Sequence, residues 1–255
     1  MFGIFKRARR KNILKQPFSE EWLAVLEKNV PLYLKLPPHL QAELRSHIKI
    51  FIAEKHFEGC QGLEMTDEIK VTVSAQACCL LLNRKVDYYP ALKTILVYPT
   101  TFILPSKAYV GAGVLEEADK PVLGLCFKRD VVILAWDSVL HGASHLHDGK
   151  NVVFHEFAHQ LDVQEGHFNG APVLATRAHY MTWAKVMSNR FEKLSQKRRS
   201  GKKSFLNQYG ATNPAEFFAV ATEYFFEQPG EMKNKHPDLF NELKSFYNQN
   251  PLTYI

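Results

Sequence analysis

The chain has 255 residues, 46% hydrophobic and 23% charged, with a formal net charge of +6. That is enough chain to bury a sizeable core in one large domain. No apolar run is long enough to span a bilayer, and no apolar stretch with a cleavage site follows the basic start, so an exported or membrane-spanning protein is excluded as an expectation. The opening "MFGIFKRARRKNILK" holds six cations and no acid. It shows no helical core pattern and is read as a basic tail, residues 1–15. Phe2, Ile4 and Phe5 beside its charges point to weak contact with a membrane surface. Ser19 with Glu20 and Glu21 signals a capped helix to about Asn29. A second helix starts at Pro38, with Leu40, Leu44, Ile48, Phe51 and Ile52 on one side. Thr66 caps an apolar stretch, "DEIKVTVSAQACCLLL", read as a buried helix with strand as the alternative. "KTILVYP", "PVLGLCF" and "DVVILAW" are short β-branched runs bounded by Pro, Asp and Lys, and read as strands.

After Asp148-Gly149 the pattern turns helical again through Asp162. Another helix covers "VLATRAHYMTWAKVMSNRFEKL", and "SQKRRSGKK" follows as a polar basic loop. Asn213 and Pro214 open the helix "NPAEFFAVATEYFFEQP", and "PDLFNELKSFYNQN" closes the chain. The class is α+β: a helical part over about 16–90 and a core with a small sheet over about 91–255, in a single domain from 16 to 255. The second basic block, 190–203, has no reading motif around it, so specific nucleic-acid binding is not expected. Cys60, Cys78, Cys79 and Cys126 form no C-x-x-C pair, so neither a zinc ribbon nor a thioredoxin motif is indicated, and with no export signal expected, reduced thiols and a cytoplasmic location are the expectation.

The chemistry sits in "NVVFHEFAHQLD", residues 151–162. His155 and His159 lie one helical turn apart on one face, so both imidazoles can reach one ion. Glu156, one position round, misses the metal and meets its water as general base. The rest of the helix is apolar, so its polar stripe needs a partner, and a metal supplies one. Asp162 shares the histidine face and can orient a ligand imidazole or simply end the helix. A catalytic zinc needs a third protein ligand and one open position. No close third histidine follows; His167 reads as an exposed loop residue. Glu216, set among Phe217, Phe218, Ala219 and Val220, is the ligand chosen, with Glu223 as a supporting or surface acid.

"HEFAHQLD" followed by "YGATNPAEFFAVATEYFF" resembles the Mlc titration factor A family of zinc peptidases. The resemblance takes in the "YP" strand end, "VILAWDSV" and "GAP", over most of residues 60–250. The second motif is also similar to the catalytic domain of anthrax lethal factor. The resemblance implies a zincin-like core with one zinc on His155, His159 and Glu216, and Glu156 as general base. It also implies a catalytic role for the tyrosine seven residues before the third ligand, here Tyr209. Lethal factor has an acid four residues after that ligand, where this chain has Val220. Any such role therefore passes to Glu223 or is lost. The implied activity is aminopeptidase-like cleavage of a peptide or protein substrate in the bacterial cytoplasm. The implied partner is a repressor, Mlc, for which no motif can be matched. "VVILAWDSV", residues 131–139, reads as an edge strand beside the cleft, able to pair with an extended peptide. A regulatory protein-binding module with a structural zinc is the alternative, and a non-peptidase hydrolase is a further one.

Overall fold

A computed structural model describes residues 2–84, 87–110, 114–122, 124–127, 129–165 and 169–255. The helical N-terminal part holds α1 (Phe2–Lys15), α2 (Glu20–Asn29), α3 (Pro31–Lys35), α4 (Pro38–Glu54) and α5 (Asp67–Cys79), with strand β1 (His56–Gly59) between the last two. Ser19 Oγ accepts the Trp22 amide and Thr66 Oγ1 the Ile69 amide, so the two caps read from sequence start their helices. Leu40, Leu44, Ile48 and Phe51 of α4 are buried, and α5 is a buried helix, not a strand. Cys78 and Cys79 are core residues whose thiols burial pushes upward.

Residues 1–15 correct the expectation of an unstructured tail. Residues 2–15 form α1, docked on α4. Arg10 donates to Glu54 at 2.7 and 2.6 Å and lies 2.6 Å from Asp87, while Lys6 pairs with Asp87 at 2.7 Å. Ile13 packs against the core. Two of the charges that looked solvated, Lys6 and Arg10, meet acids distant in sequence, and Arg9 donates to the Ala53 carbonyl at 2.8 Å.

Four strands form a sheet in the order β1-β2-β6-β5: β2 (Thr94–Tyr98) pairs in parallel with β1 and with β6 (Val131–Ala135), and β5 (Gly124–Phe127) runs antiparallel to β6. A separate hairpin joins β3 (Phe102–Val110) and β4 (Val114–Val122). "PVLGLCF" is thus divided between the end of β4 and β5. The "VVILAWDSV" expectation is also corrected. β6 lies inside the sheet, because β2 and β5 flank it, and Trp136 already begins helix α6 (Trp136–Ser144). The edge strands of this sheet are β1 and β5, and β5 is the one beside α7.

Helix α7 (Val152–Asp162) packs on β5, β6 and α9 (Pro214–Glu227). Between them runs α8 (Arg177–Arg199), which continues through "SQKRR" where a loop was expected; Lys197, Arg198 and Arg199 in its last turn complement the helix dipole. Helices α10 (Pro229–Lys235) and α11 (Pro237–Tyr247) close the chain. The aromatic core joins the layers: Phe157 of α7 meets Phe51 at 5.8 Å and Tyr89 at 4.8 Å, and Phe154 meets Phe226 at 5.2 Å. No helix of the described residues is long and apolar enough to cross a membrane.

Candidate metal centre

Helix α7 begins at Asn151, whose side-chain oxygen accepts the Phe154 amide at 2.9 Å. Gly149, at φ +73°, makes the turn before it in a conformation that favours glycine. One turn in, His155 and His159 face α9. That helix begins with Asn213, whose side chain accepts the Glu216 amide at 3.0 Å, and with Pro214 in its first turn. The cap fixes Glu216 against the two histidines. Glu216 Oε2 lies 2.9 Å from His155 Nε2 and 3.4 Å from His159 Nε2. One ligand atom from each of the three lies within 4.8 Å of the others.

This donor set fits zinc. Ligands at 2.0–2.1 Å in a tetrahedron stand about 3.3 Å from one another, close to the separations found. The second nitrogen of His155, Nδ1, lies 3.0 Å from Glu223 Oε2, which leaves Nε2 turned to the shared point. Glu223 also accepts the Asn151 amide at 2.8 Å. The Asn151 side chain donates to Gln76 Oε1 and to the Gly142 carbonyl, both at 2.9 Å. A buried polar chain therefore runs from α5 to the imidazole. Glu223, not position 220, takes the supporting place. Burial alone would raise the Glu216 carboxyl, but the two histidines outweigh it and hold it down at about 2. Burial alone would lower His155, yet Glu223 and Glu216 raise it well above its ordinary value.

Glu156 is 5% exposed and reaches under β5. A side chain on Gly124 would place a Cβ 2.8 Å from Glu156 Oε1 and 2.5 Å from Val152 Cγ2. Only glycine lets β5 approach this closely, and the sequence reading had passed over it. Tyr209 sits in a 3-10 turn, Gln208–Ala211, with its ring 6.0 Å from the His155 ring. Burial, then the charges of Glu216 and Glu156, push its phenol up to about 12, so it remains a donor at neutral pH. Tyr209, Asn207, His155, Glu156, Gly124 and Leu125 line one cleft of about 810 Å³. Asp162 gives one oxygen to the Gly170 amide at 2.9 Å. Gly170, at φ +73°, has no room for a Cβ, which would lie 2.4 Å from the Pro214 carbonyl oxygen. Asp162 thus braces the start of α9, and its bond goes to backbone. His167 lies outside the described residues. Asn151, Gln76 and Gly124 were missed from sequence; the one available signal was Asn151 as a helix cap.

A profile of the glucose-regulated metallo-peptidase M90 family matches residues 5–248. The chain belongs to that family. A protein of Synechocystis sp. named only as uncharacterized is 37% identical over 245 residues, covering 96% of this chain and 89% of its own length. Mlc titration factor A of Yersinia pestis is 27% identical over 232 residues, 89% of this chain and 84% of the other, and its counterpart in Yersinia pseudotuberculosis matches equally. The match to this metallo-peptidase family spans both the α7 histidines and the α9 glutamate.

Proposed function

We propose that the chain is a zinc peptidase with an aminopeptidase-like preference, acting in the cytoplasm. The observation that carries this reading is the convergence of His155, His159 and Glu216 beside Glu156 in an open cleft. One zinc per chain on these ligands would polarise the scissile carbonyl and acidify water. Glu156 takes the proton of the attacking water and hands it to the leaving amine. Tyr209 donates its hydroxyl to the developing oxyanion. Glu223 keeps His155 in the tautomer that offers Nε2. The substrate backbone extends the sheet at the β5 edge, beside Glu156, where Gly124 and Leu125 form a wall of the cleft. Asp137, also on that wall, supports recognition of a positively charged amino terminus.

The test is a peptide-library digest by zinc-loaded protein and by Glu156→Gln. The variant should retain about one zinc per chain and lose at least ~10²-fold in turnover. Near-normal turnover would end this reading. The relatives named Mlc titration factor A support a second one, binding of such a repressor in addition to catalysis. Co-purification with Mlc by the zinc-loaded chain would establish it.

A further inference from the structure

A second cavity, of about 460 Å³, lies away from the cleft. Its walls are the C-terminal half of α8, the segment after it and His236 between α10 and α11. Arg190, Lys193, Lys197 and Lys202 line it, and no acid does. Leu194 and Leu206, 4% and 3% exposed, and the Phe205 ring supply apolar surface.

The cations are not equivalent. Arg190 is committed: its guanidinium holds both carboxylate oxygens of Asp238 and donates to His236 Nδ1 at 2.9 Å. The proton of neutral His236 is therefore on Nε2. Burial, then Arg190 and Lys197, pull this imidazole down to about 4, as a positive local potential requires. Lys193, Lys197 and Lys202 are exposed and have no ion-pair partner among the described residues. Lys235 stands 4.6 Å over the Phe205 ring beside them. A single carboxylate is best met by an arginine fork, but that fork is occupied. Several lysine point charges suit a phosphate dianion. The volume lies in the range of small-molecule sites, and Phe205 adds aromatic surface to the wall beside Leu194 and Leu206.

The cavity is also connected to the cleft. Phe205 and Leu206 line the cavity, while Asn207 and Tyr209, one step along the same segment, line the cleft. Gln208 donates to the Lys202 carbonyl at 2.8 Å, and Phe205 packs on Tyr224 of α9 at 4.9 Å. Gly210 fits tightly between Leu194 and Val220, each 3.3 Å from where its Cβ would stand.

We propose that this cavity binds a small phosphate ester with a ring or apolar body, and that its occupancy steadies the 202–209 segment that carries Tyr209. The consequence for catalysis rests on the role given to Tyr209 above; the binding does not.

The experiment is calorimetric titration of the zinc-loaded protein with phenyl phosphate, benzoate, inorganic phosphate and a pentaglutamate peptide. Phenyl phosphate should bind at least ~10-fold more tightly than benzoate or inorganic phosphate, because the site uses both charge and ring. Lys193→Ala/Lys197→Ala, at two exposed positions, should weaken it at least ~10-fold, and Lys193→Arg/Lys197→Arg should bind as the parent does. His159→Ala should leave binding unchanged. Amide hydrogen exchange at residues 202–211 should slow on binding in the parent and not in the double alanine variant. Binding that survives the double alanine variant, or vanishes with His159→Ala, places the anion elsewhere and overturns the site. Preference for pentaglutamate overturns the ligand class. Tight binding with unchanged exchange overturns the link to Tyr209. None of these readouts needs peptide turnover, so they stand apart from the peptidase reading.

Discussion

Tyr209 is the residue whose placement decides most. It is 54% exposed, yet its ring lies against His155 and its phenol faces the Glu216 carboxylate. A packing role would bury the ring; a role in the reaction needs the hydroxyl at the open side of the centre. Tyr209→Phe keeps the ring and deletes the donor. Zinc content and Tm should not change, KM should move little, and kcat should fall by ~10- to 10³-fold, the effect of losing one oxyanion donor. A kcat within twofold of the parent removes Tyr209 from the chemistry. Glu156 next to Gly124 makes the complementary point: the proposed general base is positioned by the absence of a side chain on a neighbouring strand.

Among the elements, α1 and the α7–α9 junction carry stability that can be measured. The Arg10 side chain is 18% exposed and Glu54 13%, so their pair is shielded, while Asp87 at 50% adds less. Burial works against Arg10, but the Glu54 hydrogen bonds prevail and raise its pKa. Arg10→Ala should cost roughly 1.5–3 kcal/mol, the range for a hydrogen bond to a charged group. That would lower Tm by several degrees. An unchanged Tm would mean that α1 rests loosely on α4. At the junction, Glu227 is fully buried, accepts the Lys150 amide at 2.9 Å and lies near the charge of Asp148. Burial, then the charges of Asp148 and Glu223, raise its carboxyl from 4.5 to about 9. The folded chain keeps this proton where the unfolded chain has lost it, so the contribution of Glu227 declines as pH climbs from about 5 to 9. Glu227→Gln removes that dependence. Between pH 5.5 and 8.5 the variant should lose roughly 2–4 kcal/mol less stability than the parent, at ~1.4 kcal/mol per unit. Parallel Tm-against-pH curves would show that Glu227 ionises normally.

For the whole molecule, the candidate metal site is a tie between two parts of the chain. His155 and His159 lie on α7 and Glu216 on α9, about 60 residues later, and both helices pack into one aromatic core. An ion there binds the folded chain and not the unfolded one, so its affinity adds directly to stability. Chelation should therefore lower Tm, by an amount equal to about 2.7 kcal/mol if zinc had been present at a hundred times its Kd. Thermal melts with and without chelator, repeated on His159→Ala, check this. The chelator should have no effect on the variant, and an equal shift in both would place the metal elsewhere.

The sequence by itself determined the local parts. Caps at Ser19, Thr66 and Asn213, the proline at 214 and the spacing of His155 and His159 depend on neighbours within a few residues, so they are readable in one dimension. Glu216 was readable because a carboxylate in an apolar helix needs a partner. What only the tertiary structure decided depends on distant residues. Arg10 meets acids 44 and 77 positions away, so a helix looked like a tail. The β6 run looks like an edge strand until β5, a four-residue strand opened by glycine, is found to cover it. Glu223 could be a surface acid or the partner of His155, and the packing of α7 on α9 settles which. Pattern and capping report the energies of nearest neighbours. Sheet order, buried ion pairs and the support behind a ligand arise from contacts across the chain, which no local spacing encodes.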